Sequence, residues 1–366
     1  MRIAFVTELF SPSVGGQEIR YLELGRHLVR KGHAVHVFTI RLTSGHPAVE
    51  SLDRIEVQRI VDGFHYRRTG RIRRNPFDIL KFTLRLLQER SVLQDYDAVV
   101  FNIWPVLAPM VVPRLVRTRS VIDWCEIRGS RFWDVVNRLL ANPKVFHTAV
   151  SDSVADQLKG SYKVPSHRIR TILSGVDAAQ YHCDGAVKRN RTVLYLGRMS
   201  IHKNPLLLLR SFLSAELHRK NYVLHMAGTG PLLSEVRRES ADTPNIFVHG
   251  EVSEDDKLRL LKESTLLVLP SRREGFPRVV AEAAAAGTPT LTVSYPGNGT
   301  ASVVHQYGLG WVCTPELHEI AAGVERHARM SEEWLTLSAH CAATAQKHFD
   351  WDSVTTALVD FLRGTS

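Results

Sequence analysis

The sequence predicts an α/β protein made of two halves, each with its own parallel sheet. Short apolar runs alternate with helical patterns along the whole chain, and glycine-containing loops follow several of these runs. A polar, irregular stretch at 178–190 separates the two halves. A chain of 366 residues is long enough for two domains of this class. We therefore predict an N-terminal domain over 1–178 and a C-terminal domain over 179–349.

The composition is that of a globular protein with an excess of basic residues. Its 47 Lys and Arg residues against 37 Asp and Glu residues give a net charge of +10. This charge predicts attraction to phosphates, nucleotides or acidic lipids without choosing among them. The four cysteines form no C-x-x-C pair, which favours a reduced, cytoplasmic setting without structural zinc. The opening MRIAFVTELF is predicted to be the first strand, because its apolar run is too short for a signal peptide.

The first half begins with a predicted strand–helix–strand unit over 3–40. Gly15 and Gly16 lie in the loop between the first strand and the helix. The dinucleotide-binding pattern G-x-G-x-x-G is absent, and Thr39 and Arg41 stand where an acidic residue would follow the second strand. These two features argue against NAD binding. Further buried strands are predicted at 98–102 and 121–124, and a strand-to-helix junction is predicted at 145–151, with Ser151 or Ser153 as the helix cap.

A basic segment occupies 54–90. It contains five clustered arginines and then an amphipathic helix over 77–87, in which Lys81 and Arg85 lie off the apolar face. The arginines are Arg67, Arg68, Arg71, Arg73 and Arg74, and the apolar face is formed by Phe77, Leu80, Leu84 and Leu87. We favour a solvated loop followed by an ordinary core helix. Docking on an anionic membrane and binding of an acidic acceptor remain open alternatives.

The most informative stretch lies between Leu266 and Leu291. It is predicted to form a buried strand over 266–269, a polar loop, a helix that begins near Pro277 and a second buried strand over 290–293. Such strand-to-helix junctions bind anionic ligands, because free backbone N–H groups point outward there. Glu274 in the loop and Glu282 on the helix are eight residues apart, and carboxylates accept hydrogen bonds strongly from hydroxyl groups. The alternative interpretation is that Glu282 is a solvated helix residue and Glu274 a charge at the start of the helix.

The segment from Glu274 to Pro289 reads E-G-F-P-x-V-x-x-E-A-x-A-x-G-x-P and resembles the E-x7-E signature of retaining GT-B glycosyltransferases of family 4. The resemblance implies that Glu274 contacts the transferred sugar and that Glu282 binds the ribose hydroxyls of the nucleotide. It places the backbone of Gly275, Phe276 and Pro277 along the sugar. The N–H groups from Arg278 onward are then expected near the diphosphate.

Further motifs extend the resemblance to most of the chain. Gly197-Arg198, followed by Lys203, resembles the segment whose cations bind the diphosphate and stabilise the departing negative charge. The turn from Gly228 to Pro231 resembles the family's G-x-G-P turn, with Gly228 and Gly230 near phosphate or ribose. The remaining matches are Val252 in the loop that reads the base, Ser174 to Asp177 as the entry to the linker, and Gly15 and Gly16 near donor phosphates and acceptor.

One position departs from the family pattern. The family usually has a histidine just after the strand at 121–124, and Cys125 stands there in this chain. Asp123 or Glu126 could supply a polar group instead, and Trp124 could stack on a sugar face. A carboxylate near the reacting carbon would stabilise oxocarbenium charge. A helix-capping role for Asp123 or Glu126 is the alternative.

Taken together, the resemblance implies the GT-B fold: two Rossmann-like domains facing a central cleft, with the last helix, 350–366, crossing back to the first domain. It implies transfer of a sugar from a nucleoside-diphosphate sugar to an acceptor hydroxyl with retention of configuration, without a metal or another cofactor. The acceptor could be a glycan, a lipid-linked saccharide or a natural product. We expect a cytoplasmic protein, with peripheral contact to the inner membrane face left open.

Two other classes compete with this interpretation. A nucleotide-sugar epimerase would use a similar fold. A basic protein that binds nucleic acid or membrane would explain the charge, but the aromatic-interleaved basic motif of RNA-binding sheets is absent.

Overall fold

A computed structural model describes residues 1–13, 15–63, 67–68, 71–72, 75–183, 188–296 and 298–364. The chain divides into a first unit, 1–174 with 354–366, and a second unit, 175–353. Each unit contains its own mainly parallel sheet, so the predicted α/β class with two parallel-sheet domains is confirmed. The arginine cluster predicted at 67–74 concerns side chains outside the described residues.

The sheet of the first unit has eight strands in the order β10-β9-β8-β7-β1-β2-β4-β3, and only β3 runs antiparallel to its neighbour. A separate two-stranded ribbon is formed by β5 and β6. The strands are β1 Arg2–Val6, β2 Ala34–Arg41, β3 Val49–Leu52, β4 Ile55–Asp62, β5 Arg67–Arg68, β6 Arg71–Ile72, β7 Ala98–Asn102, β8 Arg119–Trp124, β9 Phe146–Ala149 and β10 Ile169–Thr171.

Helices connect the parallel strands of the first unit. They are α1 Gly16–Arg30, α2 Pro76–Gln88, α3 Arg90–Leu93, α4 Leu107–Val111, α5 Arg131–Leu140 and α6 Asp152–Gly160. Short 3-10 helices cover Val112–Arg114 and Ser166–Arg168. Ser151, one of two predicted caps, caps α6 by accepting a hydrogen bond from the N–H of Val154 at 3.4 Å.

The sheet of the second unit has six strands, all parallel, in the order β13-β12-β11-β14-β15-β16. The strands are β11 Thr192–Leu196, β12 Val223–Ala227, β13 Ile246–Gly250, β14 Leu266–Leu269, β15 Thr290–Val293 and β16 Gly310–Cys313. The helices are α7 Ala178–Tyr181, α8 Pro205–Ser214, α9 Leu233–Ser240, α10 Glu254–Glu263, α11 Arg278–Ala285, α12 Gly299–Tyr307, α13 Leu317–His327 and α14 Glu332–Thr344. A 3-10 helix, Leu217–Lys220, and a π-helix, Ala345–Phe349, complete it. The last helix, α15 Trp351–Arg363, belongs to the first unit from Val354 onward.

The central strands are apolar because both faces of each sheet are covered. All four residues of β14 are buried, as are all five of β7, which is typical of parallel strands between helical layers. In the second unit the core includes Tyr195, Leu208, Phe212, Val268 and Leu291, with Val324 of α13 packed among them. These packed centres hold the ends of the strands, and the loops that follow them, in fixed positions.

Two regions differ from the sequence prediction. Strands β3 and β4 were not predicted. They lie at one edge of the sheet and alternate exposed and covered residues, so neither is a continuous apolar run. Helix α2 packs on the core of the first unit, as the preferred interpretation expected, but through a different face from the one predicted. Phe77 is 74% exposed, Leu80 45% and Leu84 50%, while the buried face is formed by Asp78, Phe82, Thr83 and Leu86.

None of the helices described is both long and apolar enough to cross a lipid bilayer.

Candidate active site

Both sheets reverse their strand order near the middle, and loops diverge at the carboxyl ends of the strands there. In the first unit the reversal lies between β1 and β7, and in the second unit between β11 and β14. Parallel α/β sheets bind ligands in the crevice that such a reversal opens. The sequence-predicted residues of the second unit, Lys203 and Glu274, follow β11 and β14 directly along the chain.

Lys203 and Glu274 form an ion pair at this reversal. The ammonium group of Lys203 donates a hydrogen bond to Oε1 of Glu274, and the hydroxyl of Ser271 donates to the same oxygen at 3.1 Å. Among the described residues, none donates a hydrogen bond to Oε2 of Glu274. The carboxylate is thus fixed through one oxygen, and its second oxygen can accept from a ligand hydroxyl.

Arg198 lies in the same loop but is not part of this pair. Its side chain is exposed and forms no ion pair with any residue that the structure describes. Its backbone carbonyl accepts a hydrogen bond from the hydroxyl of Tyr195 at 3.0 Å, which ties the loop to the buried end of β11. Burial first, and then the nearby charge of Lys203, lower the pKa of His202 in this loop. A neutral His202 leaves the positive charge of the loop to Arg198 and Lys203.

The backbone of this loop rests against the turn after β12. The N–H of Met199 donates to the carbonyl of Thr229 at 2.8 Å, and the N–H of Leu232 donates to the carbonyl of Met199 at 3.0 Å. Gly228 has φ +132°, and a Cβ atom there would lie 2.0 Å from the carbonyl oxygen of Gly197. Gly230 has φ +151°, and a Cβ atom there would lie 2.3 Å from the carbonyl oxygen of Met199. Only glycine fits at these two positions.

Glu282 lies in a second cluster, on α11. Its Oε1 accepts from Arg278 at 3.3 Å and from Lys257 of α10 at 3.4 Å, and its side chain is 7% exposed. Among the described residues, none donates to Oε2 of Glu282. The two glutamates of the E-x7-E segment therefore share one arrangement, in which cations hold one oxygen and the other remains available.

Several neighbouring groups keep Lys257 in its charged form. Burial alone would lower its pKa, but the charge of Glu282 and a hydrogen bond with Glu254 raise it well above the ordinary value. Its ammonium group lies 5.7 Å from the ring centre of Tyr181, whose pKa burial and the charge of Glu282 raise to about 12. Lys257 therefore stays charged and Tyr181 stays protonated at neutral pH, so Tyr181 keeps a hydroxyl hydrogen to donate.

The loop between Glu274 and α11 is fixed from the opposite side by the start of α12. The N–H of Gly299 donates to the carbonyl of Glu274 at 2.9 Å, and a Cβ atom at Gly299 would lie 2.1 Å from the carbonyl oxygen of Gly275. Phe276 packs edge-to-face on Phe349 with ring centres 5.8 Å apart. Pro277 precedes α11 without a side-chain cap, and its carbonyl accepts from the N–H of Val280 at 2.9 Å, so the N–H groups of Arg278 and Val279 are the ones left without an intrahelical acceptor.

The loop predicted to read a base follows β13. Gly250 ends that strand with φ +76°, and its carbonyl accepts a hydrogen bond from the N–H of Gly228 at 2.7 Å. Val252 comes two residues later and is half-buried. The turns after β12 and β13 are thus joined through backbone groups.

In the first unit, Gly15 precedes α1 and Gly16 is its first residue. A Cβ atom at Gly16 would contact nothing within 4 Å, and one at Gly15 would meet the flexible end of Glu18. Gln17 donates a hydrogen bond to the sulfur of Cys125 and accepts one from Asn102 at 3.3 Å. Burial raises the pKa of the Cys125 thiol well above its ordinary value, so this sulfur is a thiol and not a nucleophilic thiolate.

The predicted sugar-stacking role of Trp124 and the acid role of Asp123 are corrected by the structure. Both residues belong to β8 and are buried. The indole N–H of Trp124 donates to Nδ1 of His147 at 3.0 Å, so no face of the ring is open to a sugar. Asp123 accepts from Arg20 at 2.6 Å, from Thr148 at 2.7 Å and from the hydroxyl of Tyr21 at 3.0 Å. These bonds occupy both carboxylate oxygens in the interior.

Glu126 keeps a partly exposed carboxylate after β8. It forms an ion pair with Arg128 at 2.8 Å. The guanidinium of Arg128 also stacks on Trp104 and Trp133, at 4.7 Å and 5.2 Å from the ring centres. Of Asp123, Trp124 and Glu126, the three residues predicted around Cys125, Glu126 is the one whose exposure suits contact with a ligand.

Sequence reasoning missed two residues of the second unit. Ser271 contacts Glu274, and Lys257 contacts Glu282, yet neither belongs to a predicted motif. A serine two residues after the buried strand β14 was a usable signal, since it must lie near the carboxyl end of that strand. Lys257 gave no sequence signal of its role, because a lysine on a charged helix such as α10 is typical of a solvated surface.

The geometry defines a class: a two-unit α/β protein of GT-B type, with a parallel sheet in each unit and charged side chains at the strand-order reversal of the second. Comparison with known families agrees. Residues 14–180 match the model of Glycosyltransferase Family 4, and residues 184–348 match that of Glycosyl transferases group 1. The chain belongs to glycosyltransferase family 4.

Individual proteins that resemble the chain are glycosyltransferases as well. An uncharacterised glycosyltransferase of Methanocaldococcus jannaschii is 23% identical over 89% of this chain and 88% of its own length. The GDP-mannose:cellobiosyl-diphosphopolyprenol alpha-mannosyltransferase of Xanthomonas oryzae is 26% identical over 78% of this chain and 77% of its own. The solved structure of Anabaena HepE in complex with UDP-glucose matches with a TM-score of 0.74 at 17% identity, covering 99% of each chain.

Proposed function

We propose that the protein transfers a sugar from a nucleoside-diphosphate sugar to an acceptor hydroxyl with retention of configuration. The observation that carries the proposal is the Lys203–Glu274 pair at the strand-order reversal of the second unit, with Oε2 of Glu274 open to a ligand. A carboxylate held through one oxygen positions a sugar by accepting from its hydroxyls. A lysine beside it supplies positive charge where the phosphate would leave.

Each charged group then has a separate task in donor binding. Oε2 of Glu282 accepts from the ribose hydroxyls, since Lys257 and Arg278 hold the other oxygen. Arg198 is exposed and unpaired within the described chain, so it can bind two diphosphate oxygens at once. The N–H groups at the start of α11 add a positive dipole end for the same anion. Gly228 and Gly230 allow the nucleotide to approach the backbone.

The chemical step needs no protein nucleophile. The bond between the anomeric carbon and the diphosphate oxygen breaks, and both electrons leave with the nucleoside diphosphate. The acceptor oxygen attacks the face from which the phosphate departs, and its proton passes to the departing phosphate oxygen. Arg198 and Lys203 stabilise the leaving group most strongly when it has separated, which lowers the barrier rather than only tightening binding. No metal or cofactor takes part in these steps.

The acceptor is assigned to the first unit, near Gly15, Gly16 and Glu126. Uncharged, hydrogen-bonding side chains meet at the strand-order reversal of that unit, which suits a hydroxylated ligand better than a phosphate. Glycans, lipid-linked saccharides and hydroxylated natural products all fit this description. The relatives point the same way, since one acts on a polyprenol-linked saccharide with GDP-mannose and another binds UDP-glucose.

The decisive experiment measures donor binding and the fate of the sugar. Thermal unfolding with uridine, guanosine and adenosine diphosphate sugars identifies the base, and the donor that stabilises the protein is then incubated with candidate acceptors. The proposal expects release of nucleoside diphosphate that depends on acceptor, and a product whose NMR coupling constants retain the anomeric configuration of the donor. An inverted product would overturn retention. Conversion of the donor without any acceptor would support a nucleotide-sugar epimerase instead.

A further inference from the structure

The first unit carries exposed apolar faces with a basic border on α2, on α5 and on residues 107–117, here named the α4 segment, and together these faces are called the apolar surface. On α2, Phe77, Leu80 and Leu84 are exposed at the spacing of one helical face. On α5, Phe132, Val135 and Leu139 repeat the same spacing, and each is half or more exposed. Two separate helices thus present an aromatic residue followed three and seven positions later by aliphatic residues.

The α4 segment lies between these two helices in the chain. The α4 segment contacts both α2 and α5. A shallow apolar depression lined by Leu107, Met110, Val111, Leu115 and Leu139 lies there, with Arg114 at its edge. The guanidinium of Arg114 donates to the carbonyl of Leu139 at 2.9 Å, which fixes α5 beside the α4 segment. Leu115 is exposed as well, so the apolar surface of α5 continues onto the α4 segment.

The border of this surface is positively charged. The ranges 76–88, 107–117 and 131–140 contain six basic residues against two acidic ones. Of the two acidic residues, Asp78 is buried and Asp134 is paired with Arg138 at 3.0 Å, while Glu89, just after the first range, is paired with Arg85 at 2.9 Å. Lys81 and Arg85 directly follow Leu80 and Leu84 in sequence, so their aliphatic stems can lie along the apolar face while their charged ends reach outward.

We infer that this surface docks the protein on an anionic lipid bilayer. An amphipathic helix with Phe and Leu on one face and Lys and Arg beside it binds in the plane of a membrane interface, where its apolar side chains enter the acyl boundary. The basic border meets the negative charge of acidic headgroups. A protein partner would have to match an extended apolar face with an acidic rim, whereas a bilayer provides both over any area.

The position of the surface links docking to the acceptor, and this step depends on the proposed function. Helices α4 and α5 follow the carboxyl ends of β7 and β8, the edge where the acceptor is expected. Trp104 after β7 and Trp133 on α5 pack edge-to-face with ring centres 5.3 Å apart, and Phe132 packs on Trp133 at the same distance. The apolar surface therefore begins beside the acceptor edge, as it must if the acceptor hydroxyl is carried on a membrane lipid.

The test is sedimentation with lipid vesicles at low salt. Wild-type protein is mixed with vesicles of neutral phosphatidylcholine and with vesicles that also contain about one-third anionic phosphatidylglycerol. We expect strong binding to the anionic vesicles and weak binding to the neutral ones. The variant F77S/L80S/L84S should bind the anionic vesicles about tenfold more weakly or worse. Absence of wild-type binding, or equal binding by this variant, would overturn the inference.

A matched control is available in the same chain. Val49, Phe247 and Leu335 are 66%, 48% and 53% exposed and lie outside the docking surface. The variant V49S/F247S/L335S removes a similar apolar area and should bind vesicles as the wild type does. Equal loss in this control would assign binding to general hydrophobicity and overturn the inference.

Two further measurements separate this inference from its competitors. Analytical ultracentrifugation of the wild type and F77S/L80S/L84S tests whether the surface joins two copies of the chain. A dimer that this variant breaks, without vesicle binding by the wild type, would overturn the inference. Nucleotide affinity in solution should be the same in F77S/L80S/L84S, because α2 lies in the other unit from Glu274. Vesicle binding without any nucleotide binding would instead contradict the proposed function and leave docking supported.

Discussion

The two sheets reverse their strand order in the same manner, but the side chains that meet at the two reversals differ. Near β1 and β7, Gln17 forms hydrogen bonds with the uncharged Asn102 and Cys125, and the charges of Arg20 and Asp123 are buried against each other with 4% and 2% exposure. Between β11 and β14 the ion pair of Lys203 and Glu274 is partly exposed. Removing one partner of a fully enclosed pair leaves an unpaired charge in the interior, whereas a pair with solvent access and a free oxygen can exchange partners with a ligand.

The largest expected effect tests the buried side of this comparison. Asp123→Ala should lower the free energy of unfolding by about 3–5 kcal/mol, because Arg20 is left as an unpaired charge in the interior. Chemical denaturation followed by circular dichroism measures the loss. Asp62→Ala, which removes the exposed partner of Arg41, is the control and should cost far less. Similar losses in the two variants would show that the Asp123 cluster does not stabilise the first unit as described.

The exposed pair should affect catalysis rather than stability. Lys203→Ala and Glu274→Gln should each reduce kcat by about 10²–10³-fold, because each removes a group that acts on the sugar or the departing phosphate. Thermal unfolding should be close to that of the wild type. Lys220→Ala removes a comparable surface ion pair with Glu325 in the same unit and should leave kcat unchanged. Normal turnover in either site variant would refute the assignment of this pair.

Acid should weaken the first unit through His147. Burial lowers the pKa of this histidine to about 4, and its Nδ1 accepts the indole N–H of Trp124, so protonation would set two donors against each other. A pKa lowered in the folded state means that stability is complete above pH 6.5 and falls as the pH drops toward 4. The loss is on the order of 3 kcal/mol. Denaturation curves between pH 7 and 4 should show this slope in the wild type and a shallower one in His147→Gln.

Replacement of a glycine by alanine should reduce stability at Gly228 of the second unit but not at Gly16 of the first. Gly228→Ala should cost about 2 kcal/mol or more, because a Cβ atom would collide with the carbonyl of Gly197 at a positive φ. Gly16→Ala should leave stability unchanged, since nothing lies within 4 Å of its Cβ position. If Gly16 nevertheless contacts a ligand, activity should fall in this stable variant. A large loss of melting temperature in Gly16→Ala would contradict the distinction.

The smallest effect concerns nucleotide affinity. Glu282→Gln should weaken binding of the nucleoside diphosphate about tenfold, because a neutral amide accepts a ribose hydrogen bond less strongly than a carboxylate. Isothermal titration calorimetry measures the change. Glu254→Gln is a close control, since Glu254 pairs with the same Lys257 at 2.5 Å but is largely exposed. Unchanged affinity in Glu282→Gln would remove Glu282 from the donor site.

Much of the fold follows from local sequence, most clearly in the central strands. The bounds predicted for β14 and β15, 266–269 and 290–293, coincide with those of the structure, because strands buried on both faces are continuous apolar runs. Edge strands lack this signal. In β4, exposed Glu56 lies between buried residues, and the resulting alternation is weak evidence in a basic segment. Periodicity also cannot decide which face of a helix with two apolar faces is covered, as α2 demonstrates.

The candidate site was predictable where chemistry and chain order coincide. Glu274 and Lys203 stand directly after central strands, and the structure brings them into contact. Asp123 and Trp124 were placed near a ligand because they adjoin Cys125, but β8 continues through Trp124 and packs both side chains inside. Lys257 meets Glu282 only through packing of α10 near α11, a long-range event that no local pattern encodes.

The close approach of the turns after β11 and β12 has a consequence for how such an enzyme changes. Main-chain atoms alone fill the space at Gly228 and Gly230, so this floor offers no side chain that substitution could reshape. Positions around it, such as Val252, remain free to vary. Under the proposed function, new preferences for a base or a sugar can therefore arise by substitution of residues at the rim. The backbone beneath the nucleotide stays the same.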